Sequence, residues 1–230
     1  MASHTSRKED ERACIAVHFY PPPLSSGSPL PLWVKPLASG SSLSKRAVRV
    51  IGVAESGIAG SVHSYLASVV MRIDLVIDGM LWDKITIQGT DATDITIKMV
   101  RNLSRTDCNA IMLRGTIIAG YNIIDLARLH EATSLPVISV TSEPQENLRD
   151  HLIHTFPKDW ESRWKITSQN GDAKSLSLET RTNVFVQWKG IEWSEVKGVV
   201  RRLTRFGGIP EPLRVARLLA RALTKNCYSN

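Results

Sequence analysis

The sequence predicts an α/β fold: a mixed sheet, with an antiparallel three-strand meander followed by parallel strands, and helices on both faces. Three observations carry that prediction. Apolar runs between Ala47 and Gln88 are joined by short links, which favour antiparallel neighbours. Beyond Gly89 helical and strand patterns alternate, and a strand–helix–strand crossover makes parallel pairs. The stretch Ala110–Asp125, AIMLRGTIIAGYNIID, puts a buried strand before a Gly-bearing turn and a helix pattern. Open α/β sheets build their sites at such junctions, where free backbone N–H groups face an anion.

Composition narrows the class. A chain of 230 residues with 43% hydrophobic content can bury one ordinary core and still carry tails. The net charge of +7 favours an acidic partner such as nucleic acid. Cys14, Cys108 and Cys227 form no CxxC pair, which argues against a zinc site or a disulfide framework. Reduced thiols, no apolar run near the roughly 20 residues that span a bilayer, and a charged start predict a cytoplasmic protein.

Residues 1–44 are crowded with Pro, Ser and Gly and read as a flexible extension. Its apolar piece, Cys14–Tyr20, has strand character but little to pair with. Residues 45–230 read as a single domain. The first strand is Ala47–Val53, AVRVIGV, a β-branched run. It leads into Ala54-Glu55-Ser56-Gly57, where Glu55 reads as a turn carboxylate or as a metal ligand at the mouth of the sheet. Tyr65–Ile77 is the second strand, Asp78-Gly79 a hairpin turn, and Trp82–Gln88 the third strand. Thr90 or Asp91 then reads as the cap of a helix bearing Ile95, Met99, Val100 and Leu103.

The strand Ala110–Leu113, the helix Asn122–Ala132 and the strand Leu135–Thr141 follow. The helix Gln145–Phe156 ends at Pro157. In Asp159–Lys165, Trp160 and Trp164 share a helical face, either closing over a core or stacking on bases. Asn170-Gly171 signals a turn, and Ser175–Thr180 with Asn183–Trp188 forms a hairpin. Ser194–Phe206 reads as a helix capped by Ser194, and Pro210 and Pro212 suit the first turn of another. There Leu213, Ala216, Leu219 or Ala220, and Leu223 make a core stripe, while Arg214, Arg217, Arg221 and Lys225 share a second face. Between Lys197 and Lys225 eight Lys or Arg residues stand against one acid, so that face is solvated or phosphate-binding.

Several of these segments resemble a known family. Gly89–Thr93 (GTDAT), Gly115–Asp125 (GTIIAGYNIID), Leu135–Ile138 (LPVI), the Trp160/Trp164 pair and Ile209–Ala216 (IPEPLRVA) are together similar to the archaeal endonuclease dU family. The resemblance runs from about Val48 to Leu223. It implies a ribonuclease H-like fold related to endonuclease V, and a metal-dependent cut of DNA at deaminated bases such as deoxyuridine. The family pattern puts two acids and a Gly after the first strand, where this chain has Ala54-Glu55-Ser56. It puts an acid before GTDAT and another before the Gly of the central strand, where this chain has Gln88 and Arg114.

Glu55 and Asp91 then remain as catalytic residues and Mg²⁺ or Mn²⁺ ligands, with Asp125 nearer a helix start. Two carboxylates can hold one such ion if water and phosphate oxygens complete its shell. The alternative is a non-catalytic nucleic-acid-binding protein on a nuclease fold whose metal site is degraded. In it Arg114, with Arg214, Arg217 and Arg221, contacts phosphate directly.

Overall fold

The computed structural model describes residues 48–57, 61–143 and 146–227, with side chains through Thr224. The expected extension 1–44, Gln145 and the Lys225 side chain lie outside the described residues.

The meander forms as β1 (Arg49–Glu55), β2 (His63–Arg72) and β3 (Ile77–Thr86), paired antiparallel in that order. Its second turn is not at Asp78-Gly79; both residues lie inside β3. The chain turns three residues earlier, where Leu75 takes a φ of 71° and its N–H donates to the Arg72 carbonyl at 2.9 Å. Long-range charge explains the shift. The Asp78 carboxylate accepts from Arg49 Nε at 2.6 Å, and the Arg105 guanidinium donates to the Asp78 carbonyl at 3.0 Å. Asp107, 2.7 Å from Arg105, closes this network at the amino end of β1.

Next come α1 (Ala92–Asn102), β4 (Ala110–Leu113), and a small ribbon of β5 (Ile117–Ile118) with β6 (Asn122–Ile123). The helix expected from Asn122 starts later, as α2 (Leu126–Thr133), because Asn122 and Ile123 pair with β5. Asp125 caps it, accepting the Arg128 N–H at 3.0 Å. β7 (Val137–Thr141) follows, then α3 (Leu148–Thr155) and α4 (Trp160–Asn170). β8 (Lys174–Ser177) and β9 (Asn183–Lys189) make the expected hairpin. The chain finishes with α5 (Trp193–Leu203) and α6 (Glu211–Cys227). Ser194 is inside α5 rather than its cap; Glu192 holds that place, with no side-chain bond to the helix.

The seven-stranded sheet has the order β3-β2-β1-β4-β7-β9-β8. β1, β4 and β7 run parallel, flanked by antiparallel strands at both edges. Strand alternation divides the core into two layers. Val50, Met112, Ile138 and Val186 pack with Val196, Val199 and Leu203 of α5 and Leu213 of α6. Ile51, Val53, Ile111 and Leu113 pack on the opposite face with Met99 of α1 and Leu126 and Leu129 of α2. Helices therefore cover both faces. Trp160 and Trp164 rest against Ile123, Leu148 and Leu152, which is the core-closing reading of that pair.

Candidate functional site

Parallel pairing gathers the carboxyl ends of three strands. Val53 lies beside Leu113, and Leu113 beside Ser139. Glu55 ends β1, and Arg114 follows β4, its N–H donating to the Val53 carbonyl at 3.1 Å. Thr86, at the end of β3, pairs with His63 at the start of β2. Glu55, Arg114 and the turn leading to Asp91 thus share one end of the sheet.

α6 reaches this end because β1 lets it come close. A Cβ at Gly52 would lie 2.5 Å from the Pro212 Cβ, so only a glycine fits under the first turn of α6. Farther along, Ala54 packs with Ala216, and Ala220 with Tyr65 and Ala67. Ala54, 2% exposed, is therefore a packing contact under α6, at the position where the resemblance implies an acid. Arg114 stands on the neighbouring strand and, by alternation from Met112, on this same face. Arg217 and Arg221 come from α6. Burial and then the charges of Arg217 and Arg221 lower the Arg114 pKa, while Glu55 works the other way. The centre of this end is thus a cationic cluster with a single carboxylate beside it.

The remaining sequence candidates fall in different places. Glu55 is half-buried, and its Oε2 accepts the Gly57 N–H and the Ser64 hydroxyl, each at 2.8 Å. Asp91 begins α1 but makes no side-chain cap. Its carboxylate turns back and accepts from Thr86 Oγ1 at 2.8 Å, from the Thr86 N–H at 3.1 Å and from Asn122 Nδ2 at 2.6 Å. Burial pushes its pKa up, but the bonds from Asn122 and Thr86 outweigh that and hold it below the ordinary carboxylate value. Asn122 in turn accepts the Ala92 N–H at 3.0 Å, so Asp91 ties α1 to β3 and β6. Arg214 is engaged by Glu211, with Nε donating to Oε2 at 2.8 Å, and is not part of the cluster around Arg114.

Arg163 is a residue that sequence spacing marks only as a partner for Asp159 four positions earlier. It is 5% exposed and donates to the carbonyls of Gln88 at 2.8 Å, Gly89 at 3.0 Å and Tyr121 at 2.7 Å. It holds the loop after β3 against the β5–β6 turn, and so positions Asp91.

These donors are a poor fit for a divalent ion. Among the described residues no three His, Cys, Asp or Glu side chains form a group that could hold a metal. A hard cation needs six or more oxygens, and Asp91 has spent most of its lone pairs on Thr86 and Asn122. Three arginine charges at the same end oppose a further cation.

The strand order and the parallel centre define a ribonuclease H-like fold. The endonuclease dU family model matches residues 46–224, and the chain belongs to that family. A UPF0215 protein of Methanosarcina mazei is 34% identical over 184 residues, covering 78% of this chain and 92% of the relative. One from Methanothermobacter thermautotrophicus is 33% identical over 186 residues, covering 78% and 89%. Among solved structures, an Archaeoglobus fulgidus protein of unknown function superposes with a TM-score of 0.66 at 26% identity, covering 76% of this chain and 98% of its own. Endonuclease V of Ciona intestinalis, crystallised with inosine-containing DNA, gives 0.57 at 15% identity, covering 81% and 89%, and supports the fold alone.

Proposed function

We propose that this chain is a nucleic-acid-binding member of the endonuclease dU family, engaging DNA of the deaminated type, and that Arg114, Arg217 and Arg221 contact backbone phosphates directly. The observation that carries the reading is the half-buried Arg114 beside β1, with like charges from α6 around it. Such a cluster is unfavourable in the free protein and is relieved by a bound anion. Planar guanidinium groups bond phosphate oxygens in pairs, and each neutralised phosphate releases condensed counterions. No divalent ion is needed for that contact.

A second reading keeps the activity in the family's name: a metal-dependent endonuclease cutting DNA at deaminated bases, with Glu55 and Asp91 as Mg²⁺ or Mn²⁺ ligands. Family membership favours it, together with Glu55, both of whose hydrogen bonds among the described residues arrive at Oε2. One experiment separates the two. Duplexes containing deoxyuridine or deoxyinosine are titrated with protein in EDTA and in Mg²⁺ or Mn²⁺, and the products are run on a denaturing gel. The binding reading predicts full affinity in EDTA with no gain from the ion, and no cleavage above a Glu55→Ala control. Ion-dependent cleavage that Glu55→Ala abolishes would replace it with the nuclease reading.

A further inference from the structure

We infer that Phe206 is a base-stacking residue for an unpaired base of the bound strand, on the end and face of the sheet that carry the phosphate site. This rests on the nucleic-acid-binding reading above. Phe206 is 82% exposed, the most exposed of the large hydrophobic side chains among the described residues. It lies in the loop between α5 and α6, next to Arg205 and Gly207.

The loop is held in place. The Thr180 hydroxyl donates to the Gly207 carbonyl at 2.6 Å, and Gly207 has a φ of 57°. A Cβ at Gly208 would lie 2.9 Å from Thr182 Cγ2 and 3.2 Å from Val184 Cγ1, so the loop backbone sits directly on the start of β9. Thr204, at the other side, is buried and bonds the Val200 carbonyl at 2.7 Å. Phe206 is therefore presented by a tethered loop while its own ring stays in solvent.

Register puts that loop at the site's end of the sheet. Leu113 of β4 pairs with Ser139 of β7, and Thr141 at the end of β7 pairs with Phe185 of β9. Val184 and Thr182 lie just beyond, on the side to which Arg114 extends from β4. Val184 packs in the layer under α5 and α6, the face that also carries Arg114. An exposed aromatic ring, flanked by Arg205 and sharing an end and a face with a phosphate-binding cluster, suits a base whose stack has been opened. Arginine contacts hold the backbone and the ring takes the base face, as in proteins that bind single strands.

The test uses the full chain with a single-stranded deoxyoligonucleotide and an abasic oligonucleotide of equal length. Phe206→Ala should weaken binding to the base-bearing strand by about 5- to 150-fold, leave abasic binding unchanged and keep the salt slope. Phe206→Trp should retain affinity, and its fluorescence should be quenched by the base-bearing strand only. Equal loss on both oligonucleotides, or no loss on either, would overturn the inference while leaving the phosphate site intact. No binding by the wild-type chain to any oligonucleotide would overturn both. A blue shift of Phe206→Trp with anionic phosphatidylserine vesicles, without quenching by DNA, would assign the ring to a membrane surface instead.

Discussion

A single methyl group added at Gly52 should displace α6 and with it two of the three arginines. A Cβ there would sit 2.5 Å from Pro212 Cβ, 2.6 Å from its carbonyl carbon and 2.7 Å from its carbonyl oxygen. Carbon atoms prefer separations of about 3.5–4.0 Å, so the overlap is about 1 Å. Both partners are anchored, one in the central sheet and the other in the first turn of a helix. No rotamer change relieves the clash, and α6 must lift. Overpacking of a core costs about 1–3 kcal/mol, and a contact with backbone belongs at the upper end. At about 2–4 °C per kcal/mol for a domain of this size, Gly52→Ala should lower Tm by about 6–12 °C. Thermal unfolding followed by circular dichroism reads that directly. Oligonucleotide affinity at a temperature where the variant is still folded should fall as well, because Arg217 and Arg221 move off Arg114. A Tm within about 1 °C of wild type would refute the packing argument.

Asp91→Ala strands the Thr86 hydroxyl and Asn122 amide donors and should cost about 2–6 kcal/mol in urea unfolding, at about 1–3 kcal/mol per unsatisfied group. The pH dependence of that effect has a fixed sign. The folded pKa of Asp91 is depressed, so its stabilisation is present above the unfolded value of about 3.9 and is lost as pH falls through the folded value. Acid unfolding of Asp91→Asn should lack that component; an acid limb identical to wild type would contradict it. Arg114→Met should raise Tm in the absence of nucleic acid, and more at low salt than at high, because the folded state disfavours the Arg114 charge. A lower Tm at every salt concentration would show that Arg114 holds the fold rather than the ligand.

The central strands were legible because they are nearly continuous apolar runs, and runs such as AVRVIGV and LPVISVT have no other way to be buried. What the sequence concealed depends on distant partners. Asp78-Gly79 has the chemistry of a turn, yet Arg49 and Arg105 pull Asp78 into β3. Asp91 has the chemistry of a cap, yet Thr86 and Asn122 offer its carboxylate three donors and α1 starts without it. Asn122 reads as helical because Ile123, Ile124 and Leu126 follow at helical spacing, but the β5 strand claims it first. At the site, Glu211 three residues before Arg214 was a readable sign of their ion pair. The convergence of Arg114 with Arg217 and Arg221 was not readable, since it follows from how α6 crosses β1 at Gly52. Arg163 gave even less warning, because its three carbonyl acceptors come from two separate loops.

The central claim is that phosphate is held by Arg114, Arg217 and Arg221 without a metal ion. Affinity for a deoxyuridine-containing duplex, measured in EDTA from about 50 to 200 mM salt, tests it most directly. If each arginine neutralises one phosphate, the triple variant Arg114→Gln, Arg217→Gln, Arg221→Gln should flatten the log–log slope by about 2.7, at about 0.9 per phosphate on duplex DNA. Arg214→Gln should leave the slope unchanged, since Glu211 already engages that side chain. A folded triple variant with the wild-type slope would contradict the account.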